Sequence, residues 1–158
     1  MTPFPESNLS RVWHHFNDVD SCAAILTAFR HEFTPEQNTI RNQLLSTDLG
    51  GMRYGYVFIS GRWIVTGGTP IEEVSIMVNG GNCDPIEFTN LIRDLGTKYG
   101  QGAVLIKTPL NTNLVFESGY CILVGNIQPG NLGTLYSRMR NGDTFVFDGE
   151  ASPDSKFR

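Results

Sequence analysis

Two helix-start signals, Thr34-Pro35-Glu36-Gln37 and Asp84-Pro85-Ile86-Glu87, constrain this chain more than any other feature. Each offers a side-chain oxygen for an N-cap, a proline for the first helical position, and an acid or amide three residues on, the pattern of a capping box. Apolar runs flank both signals. CAAILTAF, residues 22 to 29, precedes the first and fits a strand buried on both faces. Between the signals, RYGYVFIS (53 to 60) alternates strictly, Gly61 is expected to turn it into RWIVT, and EEVSIMV (72 to 78) follows as another strand. AVLIKT (103 to 108) comes after the second signal. The first helix is predicted to run to about Asp48, with Ile40, Leu44 and Leu45 as its apolar stripe and Gly50-Gly51 supplying the positive φ that ends it. The second places Phe88, Leu91, Ile92 and Leu95 at i, i+3, i+4 and i+7.

Residues 22 to 108 thus read β-α-β-β-α-β, the split βαβ order of ferredoxin-like sandwiches, and an α+β fold is expected. Leu9, Val12, Trp13 and Phe16 suggest an added N-terminal helix. Residues 120 to 127, 135 to 140 and 144 to 148 suggest a C-terminal β meander. With 158 residues, 40% of them hydrophobic, one domain over 1–148 with a polar tail at 149–158 is expected. The opening MTPFPESNLS has neither the basic nor the apolar part of a secretory leader, and no window reaches the ~18 apolar residues of a membrane span. A cytoplasmic protein with no membrane partner is the expectation. Cys22, Cys83 and Cys121 are widely separated and odd in number, so they read as buried small apolar residues rather than a disulfide framework.

The chain carries 12 Lys+Arg against 16 Asp+Glu, a net charge of -4 that excludes a uniformly cationic nucleic-acid coat. Charge is unevenly spread. Residues 51 to 71 hold Arg53 and Arg62 and no acid, and residues 101 to 142 hold Lys107, Arg138 and Arg140 against Glu117 alone. Strand alternation puts Tyr54, Tyr56 and Phe58 on one face, with Trp63 close by, and aromatic rings beside guanidinium groups are what stacked bases require. The same alternation suits aromatics packed beneath helices. The string Arg53-Tyr54-Gly55-Tyr56-Val57-Phe58 resembles the RNP1 pattern of RNA-recognition motifs without the glycine after the arginine.

A second constellation is polar: Arg30, Asn38, Arg41, Glu73, Tyr99 and Gln101, with Asn42 and Glu72 beside them. Through Thr27-Ala28, Asn38, Arg41-Asn42, Glu73 and Tyr99-Gly100-Gln101, the span 22 to 108 resembles a small uncharacterised bacterial family of unknown function. Glu36 is followed directly by Gln37, a departure from that family's helix signature. The resemblance implies a shared fold and a common pocket, and no known activity. In such a pocket Arg30 and Arg41 would hold a phosphate or carboxylate, with Glu73 as a base or Gln101 orienting a ligand.

Other chemistry fails on spacing. His14 and His15 are adjacent and point about 100° apart on a helix, so they do not chelate as an i, i+4 pair, and no metal or cofactor is expected. His31 stands alone. No nucleophile elbow, phosphate loop or dinucleotide fingerprint occurs. The tail DGEASPDSKFR is acidic with a near-terminal Phe157, as in several single-strand-binding proteins.

The leading expectation is a non-catalytic single-stranded nucleic-acid binder, a phage or bacterial regulator, using Arg53, Tyr54, Tyr56, Phe58, Arg62, Trp63, Arg138 and Arg140. The alternatives are a pocket enzyme or binder of a small phosphorylated or nucleotide-like ligand, with Glu73 and Gln101 as its candidate catalytic pair, and a protein-binding regulator. A homo-oligomer is expected from an uncovered sheet edge.

Overall fold

A computed structural model of the chain describes residues 18–64, 69, 71–119, 121–124 and 144–150. The strands are β1 (Cys22–Leu26), β2 (Gly55–Ile64), β3 (Ile71–Gly81), β4 (Ala103–Lys107), β5 (Thr112–Phe116), β6 (Cys121–Val124) and β7 (Thr144–Glu150). The helices are α1 (Pro35–Gly51), between β1 and β2, and α2 (Pro85–Lys98), between β3 and β4. The fold is α+β, and every strand pairing is antiparallel in a sheet of order β6-β5-β4-β1-β3-β2-β7.

The helix starts form where the caps place them. Thr34 Oγ1 accepts from the Gln37 amide at 3.1 Å while Gln37 Oε1 accepts from the Thr34 amide at 2.9 Å, closing the box on both sides. Asp84 caps α2 through the Ile86 amide at 3.1 Å. Helix α1 runs through Gly50-Gly51, and the left-handed residue just beyond its end is Arg53, at φ 65°. The two glycines therefore do not terminate it. Gly61 is not a turn either: β2 continues through it opposite Glu73, and its pairing with β7 shifts register there.

Of the expected meander, β6 falls within 120–127, but it pairs with β5, a strand at Thr112–Phe116 that the sequence reading did not include, and β7 departs from the expectation. That strand pairs with β2 at the opposite edge, so residues 149 and 150 belong to the sheet and not to a tail. The expected N-terminal helix and the strand at 135–140 lie outside the described residues. No helix among the described residues is long and apolar enough to cross a membrane.

One core cluster joins Ala24, Leu26, Phe58, Ile76 and Val104 of the sheet to Leu45 and Leu49 of α1 and Phe88, Ile92 and Leu95 of α2. Gly80 makes the α2 contact close, because a Cβ there would stand 2.5 Å from the Phe88 ring. Ile25, Ile59, Met77, Leu105 and Leu114 alternate onto the other face and are buried as well. An antiparallel sheet commonly leaves one face to water. Here β1 to β4 offer no bare face.

Candidate functional site

Beyond Leu26 the chain leaves the sheet, and polar side chains take over the hydrogen bonding that the ladder no longer supplies. Asn42 Oδ1 accepts from the Ala28 amide at 2.8 Å, and Asn42 Nδ2 donates to the Val74 carbonyl at 3.0 Å. Thr27 Oγ1 donates to the same carbonyl at 2.7 Å. One turn earlier, the Asn38 carboxamide satisfies both backbone groups of Arg30, accepting from its amide at 2.9 Å and donating to its carbonyl at 3.1 Å. Asn38 and Asn42 are buried at helical spacing, and each acts as a substitute strand for the β1 exit.

Arg41 and Gln101 tie this segment to the turn between α2 and β4. Arg41 Nε donates to the Ala28 carbonyl at 2.8 Å and a terminal nitrogen to the Tyr99 carbonyl at 2.6 Å. Its guanidinium carbon lies 4.7 Å from the centre of the Phe33 ring and 5.7 Å from that of Tyr99. Gln101 Nε2 donates to the Phe29 carbonyl at 2.9 Å. Gly100 sits at φ 75°, and a Cβ there would stand 2.5 Å from an Arg30 nitrogen, which bonds the Gly100 carbonyl. The backbone conformation thus favours glycine in Tyr99-Gly100-Gln101, and a side chain there would also displace the Arg30 guanidinium.

Tyr99 donates from its hydroxyl to Asp48 Oδ2 at 2.7 Å, and Lys98 Nζ reaches the same oxygen at 2.9 Å. The Tyr99 hydroxyl, followed by Lys98, holds the Asp48 carboxyl below its ordinary range. Burial and then the Asp48 bond push the Tyr99 phenol upward.

The two pinned segments wall a cleft of about 360 Å³, lined by Phe29, Arg30, His31 and Glu32 on one side and by residues 100–103 on the other. Arg30 grips Glu32 through Nε and, at 3.2 Å, through a second guanidinium nitrogen. Glu32 is held below its ordinary carboxyl range by that bond. The His31 ring meets Phe29 edge-on at 5.2 Å between centroids.

Five of the six expected pocket residues therefore share one region: Arg30, Asn38, Arg41, Tyr99 and Gln101. Only Arg30 and Gln101 line the cleft itself, while Asn38, Arg41 and Tyr99 serve its walls. Glu73 is separated from them. It is fully buried, accepts from Ser75 Oγ at 3.3 Å, and lies on the face opposite that of Val74, which packs under the helices. A base at Glu73 working with Gln101 does not fit this arrangement. His31 and Glu32 line the cleft beside Arg30, as their place next to a strand end allowed, while Phe29, Gly102 and Ala103 were missed as cleft residues.

The aromatic strand is not an open platform. Phe58 is 5% exposed under the helix layer, and Tyr54 packs half-buried against Phe88 with ring centroids 5.2 Å apart. Tyr56, at 41%, is the exposed member. Arg53 and Arg62 are exposed, but they flank β2 at opposite ends, roughly 30 Å apart by strand rise. Arg62 stands in register with Glu72, and Trp63 with Ile71. Arg138 and Arg140 lie outside the described residues.

The cysteines are free, as expected. Cys22 is buried, and burial pushes its thiol up to about 12, while Cys83 is half-buried and Cys121 exposed, contrary to a uniformly buried set. Among the described residues no three His, Cys, Asp or Glu side chains come together to hold a metal. No family model matches the sequence, and comparison with curated proteins gives no match.

Proposed function

We propose that this protein is a non-catalytic binder of a small phosphorylated or nucleotide-like ligand, taken in the cleft between the β1–α1 segment and the α2–β4 turn. The observation that carries this reading is the clamp: Asn38, Asn42, Arg41 and Gln101 spend their hydrogen bonds on backbone groups, so the two cleft walls are fixed before any ligand arrives. Preorganised walls lower the ordering cost of binding. The cleft volume lies within the range of small-molecule sites. At its rim Arg30 already holds a carboxylate in forked geometry, and a phosphate oxygen pair replaces the Glu32 oxygens without moving the guanidinium.

In this reading the β4-β1-β3-β2 centre is a split βαβ core widened by strands at both edges. The family resemblance is then a shared loop clamp, with Asn38, Arg41, Asn42 and Tyr99-Gly100-Gln101 doing one job. The single-stranded nucleic-acid reading loses its stacking surface with Phe58 and Tyr54.

A thermal-shift series with nucleoside phosphates, inorganic phosphate and oligodeoxythymidine tests the proposal. A ligand at a hundred times its Kd is expected to raise the melting point by roughly 5–10 °C, and Arg30→Gln to abolish the shift. Stabilisation by the oligonucleotide alone, falling steeply with added salt, would overturn it in favour of a nucleic-acid surface.

A further inference from the structure

A second groove lies away from the cleft, between α2 and the β5–β6 hairpin, and has a volume of about 270 Å³. Its walls are Ile86, Ile106, Leu110 and Val115, with Arg93 among them and neutral Asn and Thr side chains around the margin. Ile86 and Leu110 stand 73% and 85% exposed, so apolar surface is presented and not tucked away. Arg93 is half-buried, and among the described residues it has no carboxylate partner and no hydrogen-bond acceptor. Its guanidinium reaches toward the β5–β6 turn, 3.5 Å from where a Cβ on Gly119 would stand.

Arg93 also borders a small cavity that Glu117 lines, yet it makes no ion pair there, and a half-buried cation beside the apolar, otherwise neutral walls of the groove is complementary to an anion that carries an apolar body. Ile86 and Arg93 are two helical turns apart, about 10 Å along the α2 axis. We infer that this groove binds an amphipathic monocarboxylate with an unbranched apolar tail of about that length, the carboxylate on Arg93 and the tail between Ile86 and Leu110. This site uses no residue of the cleft, and it stands or falls separately from the function proposed above.

Calorimetric titration of the full chain with sodium octanoate tests it, with 1-octanol and acetate as controls for the charge and for the tail. Octanoate is expected to saturate one site, and each control to bind at least about tenfold more weakly, the worth of one charge-assisted hydrogen bond or of the buried tail. Arg93→Gln should lose the same factor while the melting point of the free protein stays unchanged, and Arg93→Lys should retain part of the affinity. Leu110→Ser, at a highly exposed position that does not threaten folding, should weaken octanoate several-fold. Equal affinity for octanol, unchanged affinity in Arg93→Gln, tighter binding of octyl phosphate than of octanoate, or no octanoate binding by the native chain would each overturn the assignment.

Discussion

Helices α1 and α2 cover the same face of one sheet and are held there by different physics. Helix α2 buries Phe88, Ile92 and Leu95, an apolar stripe of the usual kind. Helix α1 buries Asn38, Asn42, Leu45, Ser46 and Leu49, a stripe with the same spacing in which three of five members are polar. The two asparagines are affordable inside because each faces backbone groups that have left the ladder. Apolar packing is non-directional, so α2 needs shape alone. A hydrogen-bonded attachment is directional, so α1 also dictates where the β1 exit runs, and that exit is one wall of the cleft.

Five substitutions press on this contrast. Phe88→Ala should be the most damaging, costing about 3–5 kcal/mol of stability in urea denaturation, since the ring is fully buried against Gly80. Asn42→Leu keeps the volume and removes the bonds, stranding the Ala28 amide; a loss of about 2–4 kcal/mol is expected. A neutral result there would mean that α1 is held by Leu45 and Leu49 alone, and the contrast would collapse. Tyr99→Phe should cost about 1–2 kcal/mol at pH 7 and should also flatten the acid limb of the stability curve. The sign follows from Asp48: its folded pKa is depressed, so its contribution is present above the ordinary value of 3.8 and is lost as pH falls through the folded value. Denaturation midpoints between pH 6 and pH 2 read this directly, and parallel curves for the variant and the parent would refute it. Ile40→Ser and Leu44→Gln should change stability by no more than about 0.5 kcal/mol, because both side chains are more than half exposed.

Those last two residues mark where sequence reasoning failed and why. Hydrophobic periodicity assigned Ile40 and Leu44 to the core side of α1 and passed over Asn38 and Asn42, because a polarity scale has no way to see that a buried carboxamide will meet two orphaned backbone groups. On α2, where burial and polarity agree, the same rule placed Phe88, Ile92 and Leu95 inside. The capping box at Thr34 was legible because all its partners are local in sequence. The cleft was legible in part: the sequence brought Arg30, Arg41 and Gln101 to notice, but whether each side chain faces a ligand or a carbonyl is a long-range fact. Tyr54 and Phe58 failed for a related reason, since alternation groups residues onto a face and does not say which layer covers it. Strand β7 was recognised as a strand, yet its partner β2 lies far away in the chain, and nothing local distinguishes that edge from the one beside β6.

The central position of β1 has a consequence for how the molecule is made. Its ladder partners are β3 on one side and β4 on the other, so the strand that lies at the middle of the finished sheet leaves the ribosome before either of its partners. Its second neighbour emerges on the order of 80 residues later, roughly 4–16 s at ordinary rates of synthesis. Throughout that interval Cys-Ala-Ala-Ile-Leu, a segment destined for burial on both faces, has no finished sheet to enter. Nascent chains halted before Lys107 should therefore be the form of this protein most readily captured by chaperones that grip short apolar strands.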